Sequence, residues 1–171
     1  MTPARFDPED VARFENATWS RCAATYMDGF GALVSEAVGP LLDEVKVSKG
    51  DRVLDVGTGP GLVAAAASER GAVVVGIDFS ETMLAVARRL HPKIEFREAS
   101  AESMPFDDGT FDAVVGNFVL HHLGQPDNAL REGFRVPPEG RQDGVYRVGR
   151  PLEARGVRLV LCRGGATRRI C

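Results

Sequence analysis

The sequence predicts a doubly wound α/β fold, in which helices cover both faces of a mostly parallel β-sheet. Short runs rich in β-branched residues alternate with helical runs between residues 52 and 135, as they do where helical crossovers join parallel strands. The run at 73–77 is almost continuously apolar, which is typical of a strand buried on both faces. A glycine-rich turn at 57–61 follows the first strand directly.

The spacing of apolar and turn residues predicts each element in order. Residues 8–47 have apolar residues every three or four positions, which predicts two helices broken near Gly29 and Gly31. Gly71 is predicted to end the next helix, and Ser80 to cap the one after it. Strands are predicted at 53–56, 73–77, 94–97 and 111–118, and helices at 62–70, 81–90 and 126–134. The inward face of the helix at 81–90 is predicted to carry Met83, Leu84, Ala87 and Leu90.

Charge divides the chain unevenly and predicts three parts. These are an N-terminal helical cap (1–50), an α/β core (51–136) and an atypical arginine-rich tail (137–171). The net charge of the whole chain is −3. Residues 1–140 hold 13 basic and 22 acidic residues, a net charge of −9, whereas residues 141–171 hold 8 basic and 2 acidic residues, a net charge of +6. A basic tail can bind nucleic acid, but this one lacks lysine and interleaved aromatic residues, so no nucleic-acid partner is predicted.

Composition also argues against a metal and a membrane. No run approaches the roughly 18–20 apolar residues of a membrane span, and the acidic start has no signal-peptide core. A cytoplasmic location without membrane association is therefore expected. Cys22, Cys162 and Cys171 share no metal-ligand spacing, and His121 and His122 are neighbours that do not share a helix face. No metal is predicted.

The turn and two carboxylates are the residues most indicative of chemistry. Alternate glycines after a strand let the backbone approach a ligand, and the N–H groups at the following helix start favour an anionic group. Asp55 precedes the turn, and Asp78 ends the second predicted strand, where a carboxylate can accept hydrogen bonds from ribose hydroxyls. Right-handed crossovers bring both strand ends to one edge of the sheet. A nucleoside-containing ligand is predicted there.

The order of these motifs resembles the class I S-adenosylmethionine-dependent methyltransferases, in particular those that act on small molecules and quinone precursors. The resemblance covers residues 52–135, about half the chain, and implies a Rossmann-like core that binds S-adenosylmethionine and methylates an unidentified small molecule. The motifs that carry it lie at 53–61, 76–84, 101–106, 111–115 and 117–123.

The resemblance implies roles for the matched positions. The methionine end of the donor is expected at Asp55 and the turn, the ribose at Asp78, and the adenine beside Phe79 and Met83. Many relatives have aspartate where Ser100 stands, so that contact is expected to be weaker here. The implied donor-binding set is Asp55, Gly57, Thr58, Gly59, Gly61, Asp78, Phe79, Met83, Ser100, Ala101, Glu102 and Asn117.

Other implied roles are less specific. Phe118 is expected to face the sulfonium together with Asn117. Tyr26 is expected either to contact the donor or to be a packed aromatic residue. Trp19 is expected to belong either to the core or to a lid. His121 and His122 are expected to support the site rather than to act as a general base. No catalytic residue is assigned, because holding the acceptor close to an activated methyl group can suffice.

Two other functions are compatible with parts of the sequence. A nicotinamide-dependent oxidoreductase requires G-x-G-x-x-G, but the third glycine, Gly61, comes one residue early here. The other is a remnant that binds the donor with little turnover, because relatives continue after residue 136 with a glycine turn and further strands. A chain without those strands would expose the edge of the strand at 111–118, which would favour a homo-oligomer unless 157–161 pairs with it.

The tail itself suggests a shifted reading frame. Codons for residues 141–149 can be chosen so that the frame one nucleotide later encodes Gly-Lys-Met-Ala-Phe-Thr-Val-Trp-Ala, a glycine turn followed by an alternating strand. Arginine without lysine also fits a GC-rich message read out of frame. The alternative is a genuinely divergent tail. Sequencing the coding DNA distinguishes the two, since only the first requires that strand in the next frame.

Overall fold

The structure, a computed structural model, describes residues 7–23, 25–137, 147–149 and 158–161. The helices are α1 (Pro8–Cys22), α2 (Tyr26–Glu44), α3 (Leu62–Glu69), α4 (Glu81–Leu90) and α5 (Pro126–Arg135), with a short 3-10 helix at Leu120–His122. The strands are β1 (Arg52–Val56), β2 (Val73–Asp78), β3 (Glu95–Glu98), β4 (Ala113–Gly116), β5 (Arg147–Gly149) and β6 (Arg158–Leu161).

The strands form one sheet in the order β3-β2-β1-β4-β6-β5. β1 pairs in parallel with β2 and β4, and β2 pairs in parallel with β3. Chain order therefore reverses between β1 and β4, and ligands bind at such a reversal in doubly wound sheets. The predicted parallel sheet is confirmed.

Both faces of the sheet are covered by helices, as predicted. On one face, Val53, Val74 and Val115 share a core with residues of α2, α3 and α4. On the other face, Leu54 and Ile77 form a second core that includes Ala129 of α5. Side chains alternate between faces along a strand, so the apolar strands fill both cores. Among the described helices, none has the length and apolar character that a membrane span requires.

Helix α4 shows how local signals fix an element. Ser80 Oγ accepts a hydrogen bond from the Met83 N–H at 3.4 Å and caps the helix, as predicted. Met83, Leu84 and Ala87 are buried. Leu90, predicted to point inward, is 45% exposed. It is the last residue of α4, where the core no longer covers the predicted inward face.

Three predicted boundaries differ from the structure. The N-terminal helices break at 23–25, whereas Gly29 and Gly31 lie inside α2, because a glycine costs a helix only about 1 kcal/mol and does not end it. The strand predicted at 111–118 is shortened to β4, since Phe118 has a φ of 60°, which no strand accommodates. β3 begins one residue later than predicted.

The edge of β4 that was predicted to be unpaired is paired. β6 runs antiparallel to β4, with Val115 opposite Val160, and β5 runs antiparallel to β6. The suggestion that 157–161 supplies a partner strand is thus confirmed for Arg158–Leu161 at the level of the backbone. The rest of the predicted 137–171 tail, apart from Pro137 and β5, lies outside the described residues.

Candidate functional site

The turn between β1 and α3 is built from glycines because its backbone and its neighbours exclude side chains. Gly57 and Gly59 have φ values of 65° and 52°, in the left-handed region that favours glycine. A Cβ on Gly57 would lie 2.6 Å from Val119 Cγ2, whereas a Cβ on Gly59 would meet no atom of the described residues within 4 Å. The turn therefore packs tightly at Gly57 and faces open space at Gly59.

Asp55 stabilises this turn through hydrogen bonds. Its Oδ2 accepts hydrogen bonds from Thr58 Oγ1 at 2.6 Å and from the Ala64 N–H at 3.0 Å. The residue is 1% exposed, and burial raises the pKa of its carboxyl to about 7, although the two hydrogen bonds oppose that rise. Asp55 thus ties β1 to the start of α3.

The raised pKa of Asp55 predicts a dependence of stability on pH. The folded protein binds this proton more tightly than the unfolded chain, so the contribution to stability is fully present below pH 4 and is lost as the pH rises to about 7. Asp55→Asn keeps an oxygen for both donors but carries no charge. We expect the variant to gain stability relative to the wild type, by at most about 1.4 kcal/mol per pH unit between pH 4 and 7.

Urea denaturation of both proteins at pH 4, 6 and 8 measures this difference. The comparison cancels groups common to both, such as Glu132, whose carboxyl pKa is lowered by hydrogen bonding to Arg135. A difference in unfolding free energy that stays constant from pH 4 to 8 would show that Asp55 does not titrate there.

Asp78 lies beside the turn at the end of β2. Its Oδ2 accepts from the Gly59 N–H and its Oδ1 from the Ser80 N–H, both at 2.9 Å. Burial raises the pKa of the carboxyl, while these N–H groups and His122 oppose that rise. Each oxygen retains a second acceptor site. Asp78 can therefore hold the turn in place and still accept hydrogen bonds from a ligand.

Two clefts open above the carboxyl ends of the strands. The first, which we call the glycine-turn cleft, has about 490 Å³ of empty space, part of it open to solvent. The second, the α1 cleft, has about 1030 Å³, also partly open. The glycine-turn cleft is lined by Trp19, Tyr26, Phe30, Gly57, Gly59, Asp78, Phe79, Met83, Asn117, Phe118, Val119 and His122. The α1 cleft is lined by Ala12, Arg13, Asn16, Ala17, Phe79, Ser100, Ala101, Glu102, His122, Leu123 and Gly124.

The clefts bring together nine of the twelve residues predicted to bind the donor. Six line the glycine-turn cleft and four line the α1 cleft, with Phe79 common to both. Asp55, Thr58 and Gly61 line neither cleft. They lie in the support beneath the turn, where Thr58 bonds Asp55 and Gly61 begins α3 as its N-cap.

Asn117 carries an unmet hydrogen-bonding requirement. Its Nδ2 donates to the Val34 carbonyl at 3.2 Å, but its buried Oδ1 has no hydrogen-bond partner among the residues that the structure describes. A buried acceptor without a partner is costly unless a ligand satisfies it.

The neighbouring Phe118 has a φ of 60°, a left-handed backbone conformation, while its ring packs with Val34 and Ala37. Strained residues of this kind cluster at functional sites.

The roof of the glycine-turn cleft is aromatic. The ring of Trp19 meets those of Tyr26 and Phe30 at centroid distances of 5.9 and 6.0 Å. Burial, with Asp78 and Asp55 nearby, raises the pKa of the Tyr26 hydroxyl to about 12. Phe30 and Glu15 were not predicted from the sequence. The i, i+4 spacing of Tyr26 and Phe30 on one helix was the signal available for the former.

Glu15 links the roof to His122. Its Oε2 accepts from Trp19 Nε1 at 3.0 Å and lies 2.9 Å from His122 Nδ1. The rings of Trp19 and His122 meet edge to face at 4.9 Å. Helix α1 is also joined to the core by Asn16 Nδ2, which donates to the Phe79 carbonyl at 3.1 Å. These contacts hold α1 over both clefts.

Curated proteins match part of this chain. The demethylmenaquinone methyltransferase of Renibacterium salmoninarum is 40% identical over 100 residues, which are 58% of this chain and 42% of the relative. The phosphatidylethanolamine N-methyltransferase of Cereibacter sphaeroides is 41% identical over 99 residues, 54% of this chain and 48% of the relative. The chain spans about half the length of the curated relatives it matches.

A solved structure and a family model agree with these matches. The S-adenosylmethionine dependent methyltransferase from Mesorhizobium loti shares 30% identity and a TM-score of 0.54, over 61% of this chain and 49% of that one. The model of the methyltransferase domain matches residues 54–141, which include the glycine turn, Asp78 and Asn117. The chain belongs to this methyltransferase domain family.

Proposed function

We propose that the protein binds S-adenosylmethionine across the two clefts and transfers its methyl group to a small-molecule acceptor. The observation that carries the proposal is Asp78, which is held by the Gly59 and Ser80 N–H groups at the reversal of strand order and lines the cleft beside the turn. The name of the Mesorhizobium loti relative supports the same donor.

Two features of the glycine-turn cleft fit this donor. The orphaned Asn117 Oδ1 is an acceptor for the donor's ammonium group. The open space at Gly59 leaves room for its methionine end against the turn. In this proposal Asp78 accepts from the ribose hydroxyls, and the adenine lies by Phe79 with Ser100, Ala101 and Glu102 at its edge.

When bound, the donor supplies a methyl group that is attached to a positively charged sulfur. After the transfer, that sulfur is a neutral thioether. The protein's contribution is to hold the acceptor in line with that methyl group. Trp19, Tyr26 and Phe30 form a wall against which a planar acceptor can stack. The demethylmenaquinone named for the Renibacterium relative is a molecule of that kind. An aromatic acceptor is therefore our choice of substrate class.

A labelling assay tests the transfer. The protein is incubated with tritium-methyl S-adenosylmethionine and a reduced demethylated naphthoquinone, and the organic extract is counted. At a donor concentration near the wild-type dissociation constant, we expect label in the extract with the wild type and far less with Asp78→Ala. If label is absent although the donor binds, the chain is a donor-binding protein with little turnover, as the sequence also allowed.

Gly59→Ala is expected to weaken donor binding more than it destabilises the fold. The new methyl group meets no atom within 4 Å in the part of the chain that the structure describes, but it occupies the space proposed for the donor. The strain at a φ of 52° costs only about 1–2 kcal/mol. Calorimetric titration with S-adenosylhomocysteine, the demethylated product, measures the loss.

Gly29→Ala is the matched control. Gly29 lies in α2, and a Cβ there would likewise meet no described residue within 4 Å. Alanine should therefore stabilise the helix by roughly 0.5–1 kcal/mol and leave donor affinity unchanged. Equal affinities for Gly59→Ala and Gly29→Ala would place the donor away from the turn.

The remaining expectations stay predictions. These are the division into a cap, a core and a tail, the shifted frame, the cytoplasmic location, and the absence of metal, nucleic-acid and membrane partners. Association of copies through a sheet edge now requires an edge other than that of β4, which pairs with β6. Sedimentation at several concentrations tests that association.

A further inference from the structure

His122 is the residue shared by the two clefts that has proton-transfer chemistry. It lies at the end of the 3-10 helix Leu120–His122 that follows β4 and lines both the glycine-turn cleft and the α1 cleft. Phe79, the other shared residue, has no titratable group. If the donor occupies both clefts, His122 lies next to it.

The hydrogen bond to Glu15 decides which imidazole nitrogen faces the ligand. A carboxylate accepts hydrogen bonds, so the 2.9 Å contact between Glu15 Oε2 and His122 Nδ1 places the proton on Nδ1. Nε2 is left with its lone pair and makes no hydrogen bond within the described part of the chain. Trp19 Nε1 donates to the same Glu15 oxygen at 3.0 Å, which fixes the carboxylate in turn.

The other titratable groups of the glycine-turn cleft are poor bases. Tyr26 keeps its proton, because its hydroxyl pKa is raised to about 12. Each oxygen of Asp78 accepts a backbone N–H, and the remaining acceptor sites are those proposed for the ribose hydroxyls. The titratable groups around His122 include Glu15 from α1, Asp78 from β2 and the adjacent His121, whose ring centroid is 3.8 Å away. Arg13 and Glu102 line the α1 cleft together with it. His121 is exposed and lines neither cleft.

The sequence favoured a supporting role for His122, but its contact with Glu15 leads to a different role. We infer that His122 is the general base for the transfer, that Glu15 positions it, and that the acceptor bears an acidic hydroxyl on an aromatic ring. The inference rests on the proposed function, since it needs the donor in the clefts. It goes further by assigning the proton acceptor and by narrowing the substrate to phenols and hydroquinones.

The proposed step balances in atoms and charge. The acceptor O–H bond breaks, its proton goes to His122 Nε2, and its electron pair stays on the acceptor. A bond forms between the acceptor and the methyl carbon as the carbon–sulfur bond breaks, with that pair remaining on sulfur. The positive charge lost from sulfur reappears on the imidazolium beside Glu15. Water then removes the proton.

An indicator phenol tests the inference without turnover. 4-Nitrocatechol absorbs at longer wavelength as the phenolate, so its spectrum reports whether a bound molecule has lost its proton. The protein is first saturated with S-adenosylhomocysteine, with saturation verified by calorimetry, and the probe is added at a pH where it is mostly protonated in solution. We expect its absorbance to shift to the phenolate band on the wild type.

The variants separate the base from a structural contact. His122→Gln should bind the probe without the shift. Glu15→Gln, whose carbonyl still accepts from both Trp19 and His122, should give a reduced shift with unchanged melting. Glu9→Gln, which removes an exposed carboxylate from the same helix as Glu15, is the control and should behave as the wild type does.

Each result that contradicts these expectations identifies the part of the proposal that fails. A full shift with both His122→Gln and Glu15→Gln overturns the assignment of the base and its positioning residue. A wild type that holds S-adenosylhomocysteine but neither binds nor deprotonates the probe overturns the acceptor class and the base together. If S-adenosylhomocysteine itself does not bind, the proposed function fails first, and the calorimetric step reveals that separately.

Discussion

Replacing Asp78 by alanine is expected to weaken donor binding roughly 10- to 150-fold. Two ribose hydroxyls would lose a charged acceptor, and hydrogen bonds to a charged group contribute about 1.5–3 kcal/mol. The Gly59 N–H would also lose its 2.9 Å acceptor, which loosens the turn against which the donor is proposed to lie. Calorimetry with S-adenosylhomocysteine measures the change in dissociation constant.

Asp112→Ala is the control for a general loss of stability. The Asp112 carboxylate also accepts a hydrogen bond from a backbone N–H, that of Arg52 at 2.9 Å, but it lines neither cleft. We expect this variant to melt earlier and to bind the donor product as tightly as the wild type. An Asp78→Ala protein with an unchanged dissociation constant would reduce Asp78 to a residue that only orders the backbone at the end of β2.

Leu84→Ala is expected to cost about 2–5 kcal/mol of unfolding free energy, the usual range for a buried leucine. Leu84 is fully buried where α4 meets the sheet, in the core with Val53, Val74 and Phe96. The cavity forms beneath the helix that begins beside Asp78, so donor affinity should also fall. Urea denaturation measures the loss, with the midpoint and the slope reported separately.

Leu90→Ala, on the same helix, gives the matched comparison. Its side chain is 45% exposed, so truncation should cost well under about 1 kcal/mol. Leucine and alanine have similar helix propensities, so the difference between the unfolding free energies of the two variants reports burial. Similar losses at Leu84 and Leu90 would mean that α4 does not pack on the sheet as described.

The sequence predicted elements whose signals are local. β2 was predicted from an apolar run and α4 from its cap at Ser80, and both formed as expected. The break between α1 and α2 was misplaced because glycine is a weak signal for a helix end. The end of β4 was missed because the turn at Phe118 depends on packing with Val34 and Ala37, which are distant in the sequence.

The same distinction applies to the site. Asp78 and the glycine turn follow strands directly, so the parallel sheet suffices to bring them together. Glu15 and His122 are separated by 107 positions in the sequence, and no local pattern predicts that they contact each other. Asp55 precedes the turn, and its hydrogen bonds to Thr58 and Ala64 run inward, so its contact with a ligand stays a prediction.

Thermal unfolding with and without ligand tests the central claim, donor binding at the reversal of strand order, most directly. A ligand at 100 times its dissociation constant stabilises the fold by about 2.7 kcal/mol, which for a chain of this size raises the melting temperature by roughly 5–10 °C. We expect that rise with S-adenosylmethionine and S-adenosylhomocysteine and none with NAD or NADP. A melting temperature that is unmoved by S-adenosylhomocysteine but raised by NADH would contradict the account and restore the oxidoreductase alternative.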